Sequence, residues 1–225
     1  MFNRLFGKAK PLVSDAMRDT LFGDLPLERW PPENDPPEVF PWSAFVMGRN
    51  NLAKSDPANA LACWNEVLDT PDLESRHYLQ AWHFLRQNGC EPPEHIAKKV
   101  MGVVVEVGMP KGLDLLAAYP EYSARYYNFS GAGVVWERPD TSLDAIINEL
   151  FSAAAQVVAQ IGPWDKERPA APPSGIARLC FLTPSGLHFG QGPLNALASD
   201  PLSGGVLHRA TVLMQSLMAK SKEKE

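Results

Sequence analysis

Proline cuts this chain into blocks before any other feature is weighed. Five of its 21 prolines fall within "WPPENDPPEVFPW", at Pro31, Pro32, Pro36, Pro37 and Pro41. A second cluster occupies "PWDKERPAAPPSG", farther on. Proline has no amide hydrogen to donate and restricts the residue before it, so both stretches are excluded from helix interiors and central strands. Regular structure must lie between and after them. Residues 1–41 read as an irregular arm, held to the body through Trp30, Phe40 and Trp42. The alternative for the arm is a proline-rich ligand for another domain, and the tryptophans, which favour burial, argue against it. The opening "MFNRLFGKAKPLVSDAM" is too broken for a signal peptide and reads as a disordered lead-in, the alternative being a short amphipathic helix that touches a membrane or a partner.

Residues 42–95 have helical periodicity. Asp56 stands ready to cap a helix with Pro57 at its first position, and Ala60, Trp64, Val67 and Leu68 follow at helical spacing. Asp72 is placed to cap a third helix, in which Leu73, His77, Ala81, Phe84 and Leu85 share one side. Gly89 and Pro92-Pro93 end it.

Residues 96–225 change period and read as an α+β unit. "VMGVVVEVGM", "GLDLLAAY", "SARYYNFS" and "GVVWER" form a β-meander, with Pro120 leading the turn in its middle. A helix over 142–162 follows, with Thr141 or Ser142 as cap and Asp144 placed to reciprocate. Its stripe from Leu143 through Ile147, Leu150, Ala154 and Val158 is the strongest periodic signal in the chain. Two strands joined at "TPSG" and a C-terminal helix complete it. The fold class is α+β: an N-terminal helical hairpin, then an antiparallel five- to six-stranded sheet packed against two helices.

Several chemistries are weighed and set aside. The "SGAG" of "SARYYNFSGAGVVWE" resembles a phosphate loop, but Val134, Val135 and Trp136 continue it as a strand, not as a helix. Gly131 and Gly133 are therefore expected to supply positive φ angles for a hairpin turn. Ser185 and His188 are three apart on a strand and point to opposite faces, which disfavours a nucleophile–base pair. His77 and His83 are six apart on a helix and cannot clamp one metal from one face. Glu106 and Asp114 lie on neighbouring strands with nothing to fix their separation. Cys63, Cys90 and Cys180 have neither disulfide nor zinc spacing, which suits a reducing cytoplasm. The formal net charge of −5 and the absence of a basic cluster argue against nucleic acid. No stretch has the length to span a bilayer. No catalytic residue, metal ligand or cofactor is assigned.

The helical segment 42–88 resembles a tetratricopeptide repeat. Gly48 holds the small position of its first helix, and Ala60, Trp64 and Val67 hold the packing positions of its second. Pro71 falls one position early, and Asn51 replaces the usual aromatic. From the third helix onward, element order and acidity resemble the small α+β chaperones of type III secretion. Those are cytoplasmic bacterial proteins that often dimerise and hold an extended segment of a partner. The resemblances imply a non-enzymatic adaptor that captures another protein, or a second copy of itself, through aromatic anchors. Tyr119, Arg125, Tyr127, Trp136 and His188 are the candidate contact residues. The alternative is a small-molecule-binding sensory or enzymatic domain, with a pocket under the meander near Arg125, Asn128 and His188.

Overall fold

The computed structural model describes residues 15–32 and 35–222. The lead-in expected over residues 1–14, and the last three residues of the charged tail, lie outside the described residues.

Among the described residues six helical segments precede the sheet: α1 (Asp15–Asp19), a 3-10 turn (Leu27–Arg29), α2 (Trp42–Ala53), α3 (Pro57–Asp69), α4 (Ser75–Gln87) and α5 (Glu94–Ala97). The Asp56 carboxylate accepts the Asn59 amide at 3.2 Å and caps α3 as the sequence suggested. Asp72 does not cap α4. Its φ of 63° places it in the left-handed region, where it turns the loop, and Glu74 occupies the capping position. The α4 terminus is satisfied from elsewhere: Glu121 accepts the Ser75 amide at 3.2 Å and the Ser75 hydroxyl at 2.6 Å.

Trp42, Phe45, Trp64, Val67, Phe84 and Leu85 form the core of these helices, and Trp30 of the arm packs into it, 5.2 Å from Trp42. Gly48 is small because the Trp64 indole lies on it. A Cβ at Gly48 would collide with the ring, and Trp64, fully buried, has nowhere to go. Gly48→Ala should therefore destabilise the protein by about 1–3 kcal/mol, the usual cost of overpacking, although alanine favours helix over glycine. Urea denaturation measures it, and an unchanged midpoint would show that α2 and α3 can slide apart freely.

The sheet contains β1 (Gly102–Met109), β2 (Gly112–Ala118), β3 (Ala124–Tyr127) and β4 (Gly133–Trp136), then β5 (Ile176–Thr183) and β6 (Gly186–Pro193). Between them runs α6 (Asp144–Gln160). After them come α7 (Leu194–Ser199) and α8 (Ser203–Lys222). All pairings are antiparallel, in the order β4-β3-β2-β1-β5-β6. Thus the α+β arrangement and the antiparallel sheet follow the sequence reading. Thr141 and Ser142 do not cap α6. Leu143 holds that place, Asp140 accepts the Ser142 amide at 2.8 Å, and Asp144 pairs with Arg138 at 2.8 Å.

Alternation along the strands sorts side chains onto two covered faces. On one, Val103, Val105, Leu116, Trp136, Leu179 and Phe181 meet Ile147, Leu150 and Val158 of α6 and Val206, Leu213 and Leu217 of α8. On the other, Val104, Leu115, Ala117, Cys180 and Leu182 meet Leu21 and Phe22 of the arm and Leu79 of α4. This is why no strand reads as cleanly polar on one side.

The second face also buries charge. Glu106 is 0% exposed, Arg178 3% and Arg18 5%. Arg18 pairs with Glu106 through Nε and again through Nη2 at 3.2 Å, while Arg178 Nη1 donates to the same carboxylate at 3.0 Å. Both arginines also reach the second proline-rich stretch: Arg18 donates to the Pro169 carbonyl at 2.7 Å, Arg178 to that of Ala170 at 2.9 Å. Arg168 of that stretch pairs with Asp19 at 2.6 Å and Asp24 at 2.8 Å, over the Phe22 ring. The start of the arm and the second proline-rich stretch are thus tied to one another across the sheet. Gly108 lets the second stretch come close to β1, because a Cβ there would strike the backbone of Pro172 and Pro173.

Candidate ligand pocket

The "SGAG" stretch turns between β3 and β4. The Gly131 amide donates to the Asn128 carbonyl at 2.8 Å, and the Asn128 side chain accepts the Ser130 and Ala132 amides at 3.0 and 3.2 Å. These amides are spent inside the turn, leaving no anion seat. Gly131 has the expected positive φ, 84°. Gly133 does not. It is a strand residue whose missing Cβ makes room for the Tyr127 ring.

The sequence candidates scatter. Tyr119 is buried and donates its hydroxyl to the Leu21 carbonyl at 2.7 Å; burial raises its pKa. Arg125 and Tyr127 lie on the arm-covered face of β3, and Arg125 pairs with Glu137 at 3.2 Å. Trp136 is buried on the helix-covered face, its Nε1 without a hydrogen-bond partner. His188 is buried on that face too, its Nδ1 3.4 Å from Thr183 Oγ1 and its Nε2 unpartnered. Burial first of all, aided by the charge of Lys98, lowers its pKa. Arg125 and His188 sit on opposite faces, with β2, β1 and β5 between their strands, a spacing of about 19 Å at the usual strand separation. Asn128 is committed to its turn. These three do not line a common pocket. Glu106 and Asp114 also part, since they occupy opposite faces of the sheet.

A cleft does bring Tyr119 and Arg125 together with Glu74, Arg76, Glu121 and Ser123. It has no room for a water molecule, and its carboxylates are engaged: Glu121 holds Ser75, and Glu74 holds Arg76 at 2.7 Å. It is an internal polar seam.

A cavity of about 240 Å³ opens instead on the helix-covered face. Its floor is Val105, Val107 and Met109 of β1, Leu116 of β2 and Tyr126 of β3; its roof is Leu207, Ala210, Thr211 and Met214 of α8; Leu194 of α7 stands at its rim. The roof residues recur at spacings of three and four, one face of a helix. Ala210 is the smallest of them and leaves the space that a leucine would fill. Leu194 is 41% exposed, so the cavity communicates with solvent on that side.

Polar groups are few. Thr211 donates its hydroxyl to the Leu207 carbonyl at 2.9 Å. Asp114 accepts the Tyr126 hydroxyl at 3.2 Å and the Phe129 amide at 2.7 Å. Burial, then the charge of Asp114 and the hydrogen bond to it, push the Tyr126 phenol up to about 12, so it remains a donor at neutral pH. Sequence reasoning noticed Asp114 but not its setting. The available signal was a carboxylate interrupting "GLDLLAAY" at a position that alternation places with Leu116.

Comparison with protein-family models, curated proteins and solved structures finds no match for this chain. No helix among the described residues is long and apolar enough to cross a membrane.

Proposed function

We propose that this protein binds a small, largely apolar molecule in the cavity between β1–β3 and α8, and that it acts as a binding or sensory module rather than as a catalyst. The observation that carries the reading is the cavity itself: an open space of about 240 Å³, apolar on floor and roof, with a pair of polar groups at one place. Ligand sites typically combine an apolar lining with a few fixed polar groups. An apolar cavity of about 150 Å³ accommodates one benzene ring, so this one suits a ring bearing a short chain. The polar pair joins a carboxylate to a phenol; no nucleophile stands beside a base there, which favours binding over catalysis.

The adaptor reading keeps one supporting observation. β4 is an edge strand, and Val135, 48% exposed, projects from it on the same face as Arg125 and Tyr127. An extended segment of a partner protein or of a second copy could add there as a further strand.

One preparation separates the two. Protein purified natively from its own host is denatured, and the released material is analysed by mass spectrometry. A stoichiometric small molecule, absent from an Ala210→Leu variant whose side chain fills the cavity, supports the pocket. A stoichiometric protein partner retained equally by that variant, with nothing small released, favours the edge strand and overturns the pocket reading.

A further inference from the structure

We infer that the cavity selects a molecule whose apolar body ends in a protonated amine, held by Asp114. This rests on the pocket reading above and specifies its ligand.

The argument is one of donors and acceptors. A carboxylate offers about four lone-pair sites on its two oxygens. Asp114 uses one on each: Oδ2 for the Tyr126 hydroxyl and Oδ1 for the Phe129 amide. Two remain. The Tyr126 hydroxyl spends its only hydrogen on Asp114, so its oxygen too is left as an acceptor toward the cavity. The polar end of the site therefore asks for hydrogen and supplies none. A ligand with N–H donors satisfies it; one ending in a bare acceptor does not.

Charge points the same way. Asp114 lines the cavity, and among the described residues no lysine or arginine does. The ion pairs of the described arginines all go to other carboxylates. An ammonium group would receive a charge-assisted bond, while a carboxylate ligand would meet like charge in a partly dry site. The Tyr126 ring beside Asp114 adds an aromatic face, which also attracts cations. The surrounding Val105, Val107, Leu116 and Met214 then receive the ligand's hydrocarbon.

The test uses four probes of similar size: 2-phenylethylamine, 2-phenylethanol, phenylacetate and ethylbenzene. Each is titrated into the full chain at pH 7 and followed by the NMR shifts of the methyl groups of Val105, Val107 and Leu207. The amine should bind about tenfold or more tightly than the alcohol or the hydrocarbon, with phenylacetate weakest. Asp114→Asn, which keeps an acceptor for Phe129, should bring amine and alcohol within about twofold while leaving ethylbenzene unchanged. The wild-type ranking decides the matter even if that variant fails to fold. Phenylacetate binding as tightly as the amine, or four equal affinities, would overturn the amine inference and leave the pocket standing. No binding by any of the four would overturn both.

Discussion

Glu106→Gln should cost about 3–5 kcal/mol of folding stability, the largest single-residue effect expected in this molecule. The carboxylate has no solvent exposure and holds two arginines that are themselves almost wholly buried. Removing its charge leaves Arg18 and Arg178 facing each other without a counter-ion, and an uncompensated buried charge carries that order of penalty. Replacing the whole set is different. When the charged partners become apolar residues of similar volume together, the desolvation cost disappears with the attraction, and such exchanges are often close to neutral. The combined Arg18→Met, Glu106→Leu, Arg178→Met variant should therefore be more stable than Glu106→Gln alone. It should remain below wild type, because Arg178 also binds Gln191 at 2.8 Å and the Ala170 carbonyl at 2.9 Å. Urea denaturation of the three proteins measures the effect. A loss under about 1 kcal/mol in Glu106→Gln would mean that water reaches the cluster and the seal between the start of the arm and the second proline-rich stretch is not there.

Acidification is the second large effect. His77 is buried against the Trp42 ring at 4.7 Å, and neither of its ring nitrogens has a hydrogen-bond partner. Burial first, then the positive charge of Arg76, lowers its pKa to about 4, with Glu74 opposing. Burial similarly brings His83 to about 4, helped by Arg86 and opposed by Asp24. His188 shifts in the same direction. In each case the folded protein binds the proton less readily than the unfolded chain, whose histidines titrate near 6.5. Unfolding therefore takes up protons, and stability rises with pH across this range. The contribution is complete above about pH 6.5, declines as the pH falls, and is gone near pH 4. A shift from 6.5 to about 4 corresponds to about 3 kcal/mol for one histidine. Denaturation midpoints should hold from pH 7.5 to about 6.5 and fall steadily from there to pH 4.5, and His77→Leu should flatten the slope. A midpoint that does not move between pH 7 and pH 5 would falsify this.

How far the sequence reached depends on how local each determinant is. Asp56 and Pro57 start α3 because a cap and its amide are three residues apart. Gly48 could be marked as a contact position because helix spacing relates it to its own neighbours, although its partner Trp64 had to be seen. The "VVVEV" run showed a strand, and a charge within it demanded a partner. Nothing local could say that the partner was Arg18, 88 positions away. Asp72 looked like the cap of α4 until Glu121, 46 positions beyond Ser75, supplied that function across space. The pocket was hidden for the same reason. Alternation pairs Asp114 with Leu116 on one face, but the space above them exists because Ala210 of a distant helix lies over that face, and sheet order sets that placement. The reverse error is equally instructive. Arg125, Asn128 and His188 looked like neighbours because all are polar and close to turns, and it is the strand order that sets Arg125 and His188 far apart.

The arginine ties between the start of the arm and the second proline-rich stretch bear on how the polypeptide is born. Synthesis proceeds from the amino end, so Arg18 leaves the ribosome well before Glu106, and long before the Pro169 carbonyl 151 positions downstream. A nascent chain halted at residue 160 contains β1 to β4 but lacks β5. Its β1 is then an open edge, and Glu106 has at most one of its two cations. The apolar surface around Val105 and Leu116 cannot close until α8 has emerged, which makes this a protein that depends on shelter late in its synthesis rather than early.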